Sequence, residues 1–405
     1  FVAAAKRSVQ AGYRVIELGS TVAGPFCGRL LADFGAEVIK VETAEGDPVR
    51  TMGKRFHGKS LYAASIFRNK SLVSVDLRRP EGQAIVADLA AKSDVLVENF
   101  RPGALERWGL GYEALSARNP GLVMVRISGF GQDGPYSQRA GYGVIGEAVS
   151  GLRHLTGDPD RPPARVAVSM TDYITGLYAA FGATLALLAR GRTGRGQCID
   201  AALYECAFSF MEPWIPAFEK LGHVAGRCGS RLPESTPNNL YATGDANFIH
   251  ITAMGDTVFA RLCAAMGQPG LAQDERFRAA TARSANHEAL DDLVGRWTAN
   301  LPLATLEKVL EEAGVPATRI FTIADIFGDP HYRARGSIVH APDPDFDTVA
   351  MAAVVPRLSR TPGEVRHAGH RIGEDTREVL RTLLGLDDAR LDELQAKGVI
   401  ASETK

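Results

Sequence analysis

Short apolar runs alternate with helix-length segments through the N-terminal half, and this alternation restricts the chain to an α/β architecture. Residues 14–18 read as a strand, 19–25 as a loop, 26–34 as a helix and 37–42 as the next strand. Pro25 suits a first helical turn and Gly35 a helix stop. The result is a βαβ unit, which implies a parallel sheet. The pattern repeats with predicted strands at 72–77, 94–98 and 123–128 and a helix at 80–92. Loops 99–103 and 129–135 follow two of these strands, at the carboxyl ends where open α/β sheets bind ligands.

Several chemistries are excluded by spacing. Gly19, Gly24 and Gly28 do not make G-x-G-x-x-G, so the first βα turn is not a dinucleotide fingerprint, although Glu42 sits where a ribose-binding acid could. Arg126 replaces the first glycine of a G-x-S-x-G elbow around Ser128. The glycine-rich 191–196 segment lacks the G-K-[ST] ending and follows a helix, so it reads as a turn into a strand at 197–203. The nine histidines show no metal spacing, and no metal is expected. Five cysteines, odd in number and without C-x-x-C, fit reduced thiols of a cytoplasmic protein.

Length and charge agree. The 405 residues suffice for two domains, and a net charge of -1 points to no nucleic-acid partner. No run of 18 apolar residues occurs, which argues against a membrane span. Residues 1–10 are too short and broken for a secretory segment. The chain opens on Phe1 and not on methionine, so an incomplete start is expected. Composition shifts near residue 222, where glycine, proline and polar residues take over. The expected domains are 1–221, 222–328 and a return segment, 329–405, that starts extended and closes with helices at 374–384 and 389–397. Helical segments at 289–299 and 303–313 belong to the second domain, and prolines 213 and 216 should break a helix at 204–221.

Asp172 is the most informative single residue. From Tyr173 to Leu188 no charged residue occurs, which reads as a buried helix of about four turns. Ser169, Thr171, Thr175, Gly176, Ala179 and Ala180 leave room beside the acid. A carboxylate at the mouth of such a helix meets free N–H groups and the positive end of the macrodipole. Two readings stand at this point: an N-cap, or an ionised, poorly solvated nucleophile.

Taken together, V-A-G-P-F (22–26), G-A-E-V-I-K-V-E (35–42), R-N-K-S (68–71), V-E-N-F-R-P-G (97–103), G-L-G-Y (109–112), S-G-F-G-Q-D-G-P-Y (128–136), T-D-x-x-T-G (171–176) and T-G-R-G-Q (193–197) resemble the family III CoA-transferases, the carnitine dehydratase-like or CaiB/BaiF group. The resemblance spans nearly the whole chain and is close to transferases acting on succinyl-CoA and dicarboxylates. It implies a Rossmann-like large domain, a smaller α+β domain and an interlocked homodimer. It also implies Asp172 as nucleophile, passing through an aspartyl anhydride and an aspartyl-CoA thioester. Coenzyme A and acyl-CoA then enter as substrates, with no tightly bound cofactor, and a carboxylic acid is the acceptor. By the same resemblance, Thr21, Val22 and Ala23 lie along pantetheine and nucleotide. Val75, Asp76, Leu77 and Arg78 lie at the adenine end, with Asn99, Phe100, Arg107 and Trp108 after the fourth strand. Arg78 and Arg107 suit phosphates, with solvated surface charge as the alternative. Thr43 stands where formyl-CoA transferases carry arginine, which removes one phosphate contact. Arg139 is a candidate for the acceptor's remote carboxylate.

Two other functions are compatible with these residues. A 2-methylacyl-CoA racemase of the same superfamily would use a histidine in A-G-H-D, but this chain has Tyr142 in A-G-Y-G, and a phenol of pKa about 10 is a poor base near neutrality. His154 reads instead as a packing or rim residue. Deuterium uptake at the α-carbon would reveal racemisation. A non-catalytic CoA-binding protein would show affinity without turnover.

Overall fold

The computed structural model describes residues 8–232, 234–369 and 371–402. The start of the secretory-segment expectation, residues 1–7, lies outside them. The described chain divides into two compact units. One takes the chain to Leu152, Val166–Pro216 and the chain from Arg333 on; the other takes Arg153–Arg165 and Ala217–Tyr332.

The first unit is built on strands β1 (Arg14–Glu17), β2 (Glu37–Glu42), β3 (Lys70–Val75), β4 (Val95–Glu98), β5 (Val123–Ser128) and β6 (Cys198–Ala202). They pair in parallel in the order β3-β2-β1-β4-β5-β6. Consecutive residues of each strand point to opposite faces. Val15, Val38, Val95 and Val123 enter one core with helices α1 (Ala23–Asp33) and α4 (Met170–Thr193). Ile16, Ile39, Leu96 and Met124 enter the other, with α2 (Pro80–Ala91), α5 (Thr376–Leu384) and α6 (Asp388–Ala396). Burial on both faces explains why these strands read as unbroken apolar runs.

Two local expectations are corrected. The strand expected at 72–77 ends at Val75, because the Asp76 carboxylate accepts the Arg78 N–H (2.9 Å) and turns the chain toward α2. The segment from 329, expected to start extended, holds a short helix and a hairpin, Ile338–Asp343 with Asp347–Ala352. The strand Ile400–Ala401, not expected from the sequence, pairs antiparallel with β3. Asp375 and Thr376 tie α5 to the same strand, accepting the N–H groups of Leu72 (2.7 Å) and Ser74 (3.0 Å).

The helix expected to be buried is α4, and only one of its faces is. Thr175, Gly176, Ala179, Ala183 and Ala186 are buried, whereas Leu177 (58% exposed), Phe181 (59%) and Leu188 (62%) face outward. By length and composition alone α4 could cross a membrane, the one described helix that could, and its small buried residues pack on α1 and the sheet. In the second unit, strands Asn238–Ala242, Phe248–Thr252 and Ala317–Arg319 form an antiparallel sheet. Helices Asp256–Ala265, His287–Thr298 and Leu303–Glu312 cover it around Phe259, Leu290, Val294, Leu306 and Leu310.

Candidate active site

β1 and β4 are adjacent, but their connections leave toward β2 and β5 on opposite sides, which opens a crevice at their carboxyl ends. A cavity of about 280 Å³ occupies it, lined by residues 20–23, 99–102, 127–129, 139–142 and Asp172. A larger one, about 440 Å³, lies at the amino ends of β1 to β3, the edge this topology does not use for ligands. Another, about 370 Å³, is lined by Lys59, Asp345 and Arg371, whose charges pair with one another.

Glycines bring the backbone in close. A Cβ on Gly19 would lie 2.9 Å from the Gly24 Cα, and one on Gly129 2.9 Å from the Gly141 Cα. Beside the first pair, the Asn99 amide accepts the Ser20 N–H (2.8 Å) and donates to the Ser20 carbonyl (2.9 Å). Its side chain therefore joins the loop after β4 to the loop after β1.

The cap of α4 is Ser169, so Asp172 is the third residue of the helix and not its N-cap. Its half-buried carboxylate lies against Gly143, the first residue of α3 (Gly143–Val149). A Cβ there would come within 2.6 Å of the Asp172 Cγ and closer still to Oδ2. One turn further along α4, a Cβ on Gly176 would lie 2.7 Å from the Ala23 carbonyl, so α4 sits directly on the start of α1. Tyr173 donates to or accepts from the Tyr62 hydroxyl (2.8 Å) and stacks edge-on with Phe26 at 4.8 Å. Burial, then the Tyr173 bond, push the Tyr62 phenol upward, with the Asp172 charge adding to the effect. A carboxylate held this way at a helix start, beside a glycine-lined cavity, can attack a bound carbonyl.

The loop after β4 is anchored by a buried acid. Glu98 accepts the Phe100 N–H (2.7 Å) and the Arg126 Nε–H (2.8 Å), and Arg126 reaches on to Glu106 (2.7 Å). Burial pushes the Glu98 carboxyl up to about 7, outweighing Arg126 and the Phe100 amide. A raised acid stabilises the fold below its ordinary pKa near 4.5, and that contribution is lost as pH rises through about 7. Glu98→Gln removes this dependence. Between pH 5 and pH 8 its stability relative to wild type should rise by about 2 kcal/mol, measured by denaturant midpoints.

Thr21, Val22, Ala23, Asn99, Phe100, Arg139, Tyr142 and Asp172 come together around the one cavity. The other expected contacts lie elsewhere. Val75 is a core residue, Leu77 packs on the same core, and the exposed Arg78 is bonded to Asp76 (2.8 Å). They end or follow β3, two strands from β1, or about 10 Å along the carboxyl edge. Arg107 is exposed, and Trp108 meets Phe100 edge-on at 5.3 Å. Arg139 stacks on Tyr136 at 3.5 Å. Tyr62 and Gly143 stand at the site although neither was expected there from the sequence. The second glycine of A-G-Y-G was the available signal for Gly143, whereas nothing local marks Tyr62.

CoA-transferase family III matches over residues 11–376. The succinyl-CoA–D-citramalate CoA-transferase of Chloroflexus aurantiacus is 50% identical, over 96% of this chain and 97% of that protein. The succinyl-CoA–L-malate CoA-transferase beta subunit of the same organism is 42% identical, over 96% and 98%. The crystal structure of a CAIB/BAIF family protein from Brucella suis superposes with a TM-score of 0.83 at 36% identity, covering 93% of this chain and all of that one. The chain therefore belongs to CoA-transferase family III.

Proposed function

We propose that this protein transfers CoA from succinyl-CoA, or a similar acyl-CoA, to a dicarboxylic acid, with Asp172 as the nucleophile. The observation that carries the reading is the Asp172 carboxylate, seated on Gly143 and opening on the cavity at the β1/β4 crevice. An Asp172 oxygen attacks the thioester carbonyl; the C–S bond breaks, leaving an aspartyl–acyl anhydride and CoA thiolate. The thiolate attacks the Asp172 carbonyl and releases the donor acid, giving the aspartyl-CoA thioester. The acceptor carboxylate then displaces the thiolate to form a second anhydride. Return of the thiolate to the acceptor's acyl carbon frees Asp172 and the new acyl-CoA. Each intermediate keeps the energy of a thioester, so water must be excluded. N–H groups of the glycine-rich loops are suited to the developing oxyanions.

In this reading the CoA thioester end enters between residues 21–23 and Asn99–Phe100. Val75, Asp76, Leu77 and Arg78 lie toward the adenine, with Arg107 and Trp108 on the flank. Exposed Tyr142 covers the thioester, and Arg139 receives the acceptor's distal carboxylate. The acting form is a cytoplasmic interlocked homodimer with domains 1–221, 222–328 and 329–405. The apolar outer face of α4, with Phe208 and Phe210, supports a covering partner.

A donor–acceptor matrix tests the reading. Succinyl-CoA with dicarboxylates should give new acyl-CoA, and Arg139→Gln should raise KM for a dicarboxylate about tenfold while barely affecting a monocarboxylate. Exchange with no acid, or α-deuteration of a 2-methylacyl-CoA instead, would contradict it.

A further inference from the structure

Residues 19–21, of which Ser20 and Thr21 line the cavity, belong to no helix or strand, yet four consecutive backbone groups there are each held by a side chain. The Gly19 carbonyl accepts from the Lys40 ammonium. Ser20 is held at both N–H and carbonyl by Asn99, and the Thr21 N–H donates to Asp47 (3.0 Å). Thr21 needs holding: its φ is +68°, a left-handed conformation that disfavours a β-branched residue.

The two charged members of this clamp are almost fully buried. Lys40 also bonds Asp47 (2.9 Å) and lies 3.7 Å from Glu17. Glu17 holds Lys70 (2.6 Å), which in turn donates to the Pro25 carbonyl (2.7 Å) in the first turn of α1. Asp47 accepts a further N–H from Val49 (2.9 Å). Burial opposes the charge on both Lys40 and Asp47, but their mutual attraction wins, holding the lysine above and the aspartate below its usual range. Buried ion networks add little net stability over apolar packing, and their best-attested use is to fix a geometry. That geometry leads to the nucleophile. Residues 21–23 line the cavity, and the Ala23 carbonyl abuts Gly176, one turn from Asp172.

We propose that Lys40 and Asp47 are positioning residues for acyl transfer: they lock residues 19–21 into the turn that sets the cavity wall and the start of α1 against the helix of Asp172. This rests on the cavity being the acyl-CoA site.

Two charge-balanced double variants test it. Lys40→Met/Asp47→Ala removes both holds, whereas Lys40→Met/Asp47→Asn keeps an acceptor for the Thr21 N–H. The first should raise KM for the acyl-CoA about tenfold, and amides of residues 19–23 should exchange about tenfold faster. The second should recover only part of both, because the Asp47→Asn side chain still accepts from the Thr21 N–H while the Gly19 carbonyl has lost the Lys40 ammonium. Equal impairment in the two variants, or wild-type KM and exchange in the first, overturns the proposal. If the alanine variant does not fold, the asparagine variant is compared with wild type, and unchanged KM and exchange at residues 19–21 then overturn it. Wild-type protein with no acyl-CoA affinity, or undiminished turnover in Asp172→Ala, overturns the cavity reading and this inference together. Failure of the double variants alone, with those controls intact, overturns only the clamp.

Discussion

Asp172→Ala is expected to lower CoA transfer by about ten-thousand-fold or more while affinity for the acyl-CoA stays within about threefold of wild type. The loss is large because every step of the proposed exchange passes through a bond to this carboxylate. Binding persists because the cavity walls, residues 20–23, 99–102 and 139–142, come from other elements. Folding persists as well. The acid lies in the first turn of a 24-residue helix capped at Ser169, and its removal costs about 0.3–1 kcal/mol of dipole interaction. Rapid-mix kinetics and calorimetric titration of the variant separate the two effects. A variant that neither binds nor turns over would point to collapse of the site instead of loss of a nucleophile.

Gly143→Ala should be nearly as informative, because it moves the carboxylate without removing it. The new methyl carbon would sit 2.6 Å from the Asp172 Cγ, so the acid must rotate or α3 must retreat. Backbone conformation is no obstacle, since Gly143 is absent from the positive-φ glycines, and alanine favours the helix by about 1 kcal/mol. We expect kcat to fall about a hundredfold, KM for the acyl-CoA to change little, and the melting temperature to hold. A normal kcat would mean that the carboxylate position is not set by this contact.

Local signals made much of this site legible. The apolar runs of β1, β2, β4 and β5 are buried on both sides and so stand out, whereas the pairing of β1 with β4, and the crevice it opens, is visible only in the fold. Asp172 stood out as a single charge before a charge-free stretch. The same stretch misled about burial, because residue type says what a helix face prefers and not what covers it; Leu177, Phe181 and Leu188 are exposed in this chain. Lys40 and Glu17 lie within apolar strands, where sequence gives no hint that each finds a buried counter-charge. Asp47 meets Thr21, and Tyr62 meets Tyr173, across 26 and 111 residues of chain, distances that no periodicity spans. The two-residue strand at Ile400 is too short to carry a pattern, and only its pairing with β3 reveals it.

The most direct measurement is chemical trapping during turnover. Protein mixed with succinyl-CoA is quenched with hydroxylamine and digested, and the peptide carrying residue 172 is weighed. An acyl or thioester carbon at Asp172 predicts an aspartyl hydroxamate at that residue, formed only when the CoA thioester is present. An unmodified Asp172 in protein that is turning over, or a hydroxamate on another carboxylate, would contradict the account.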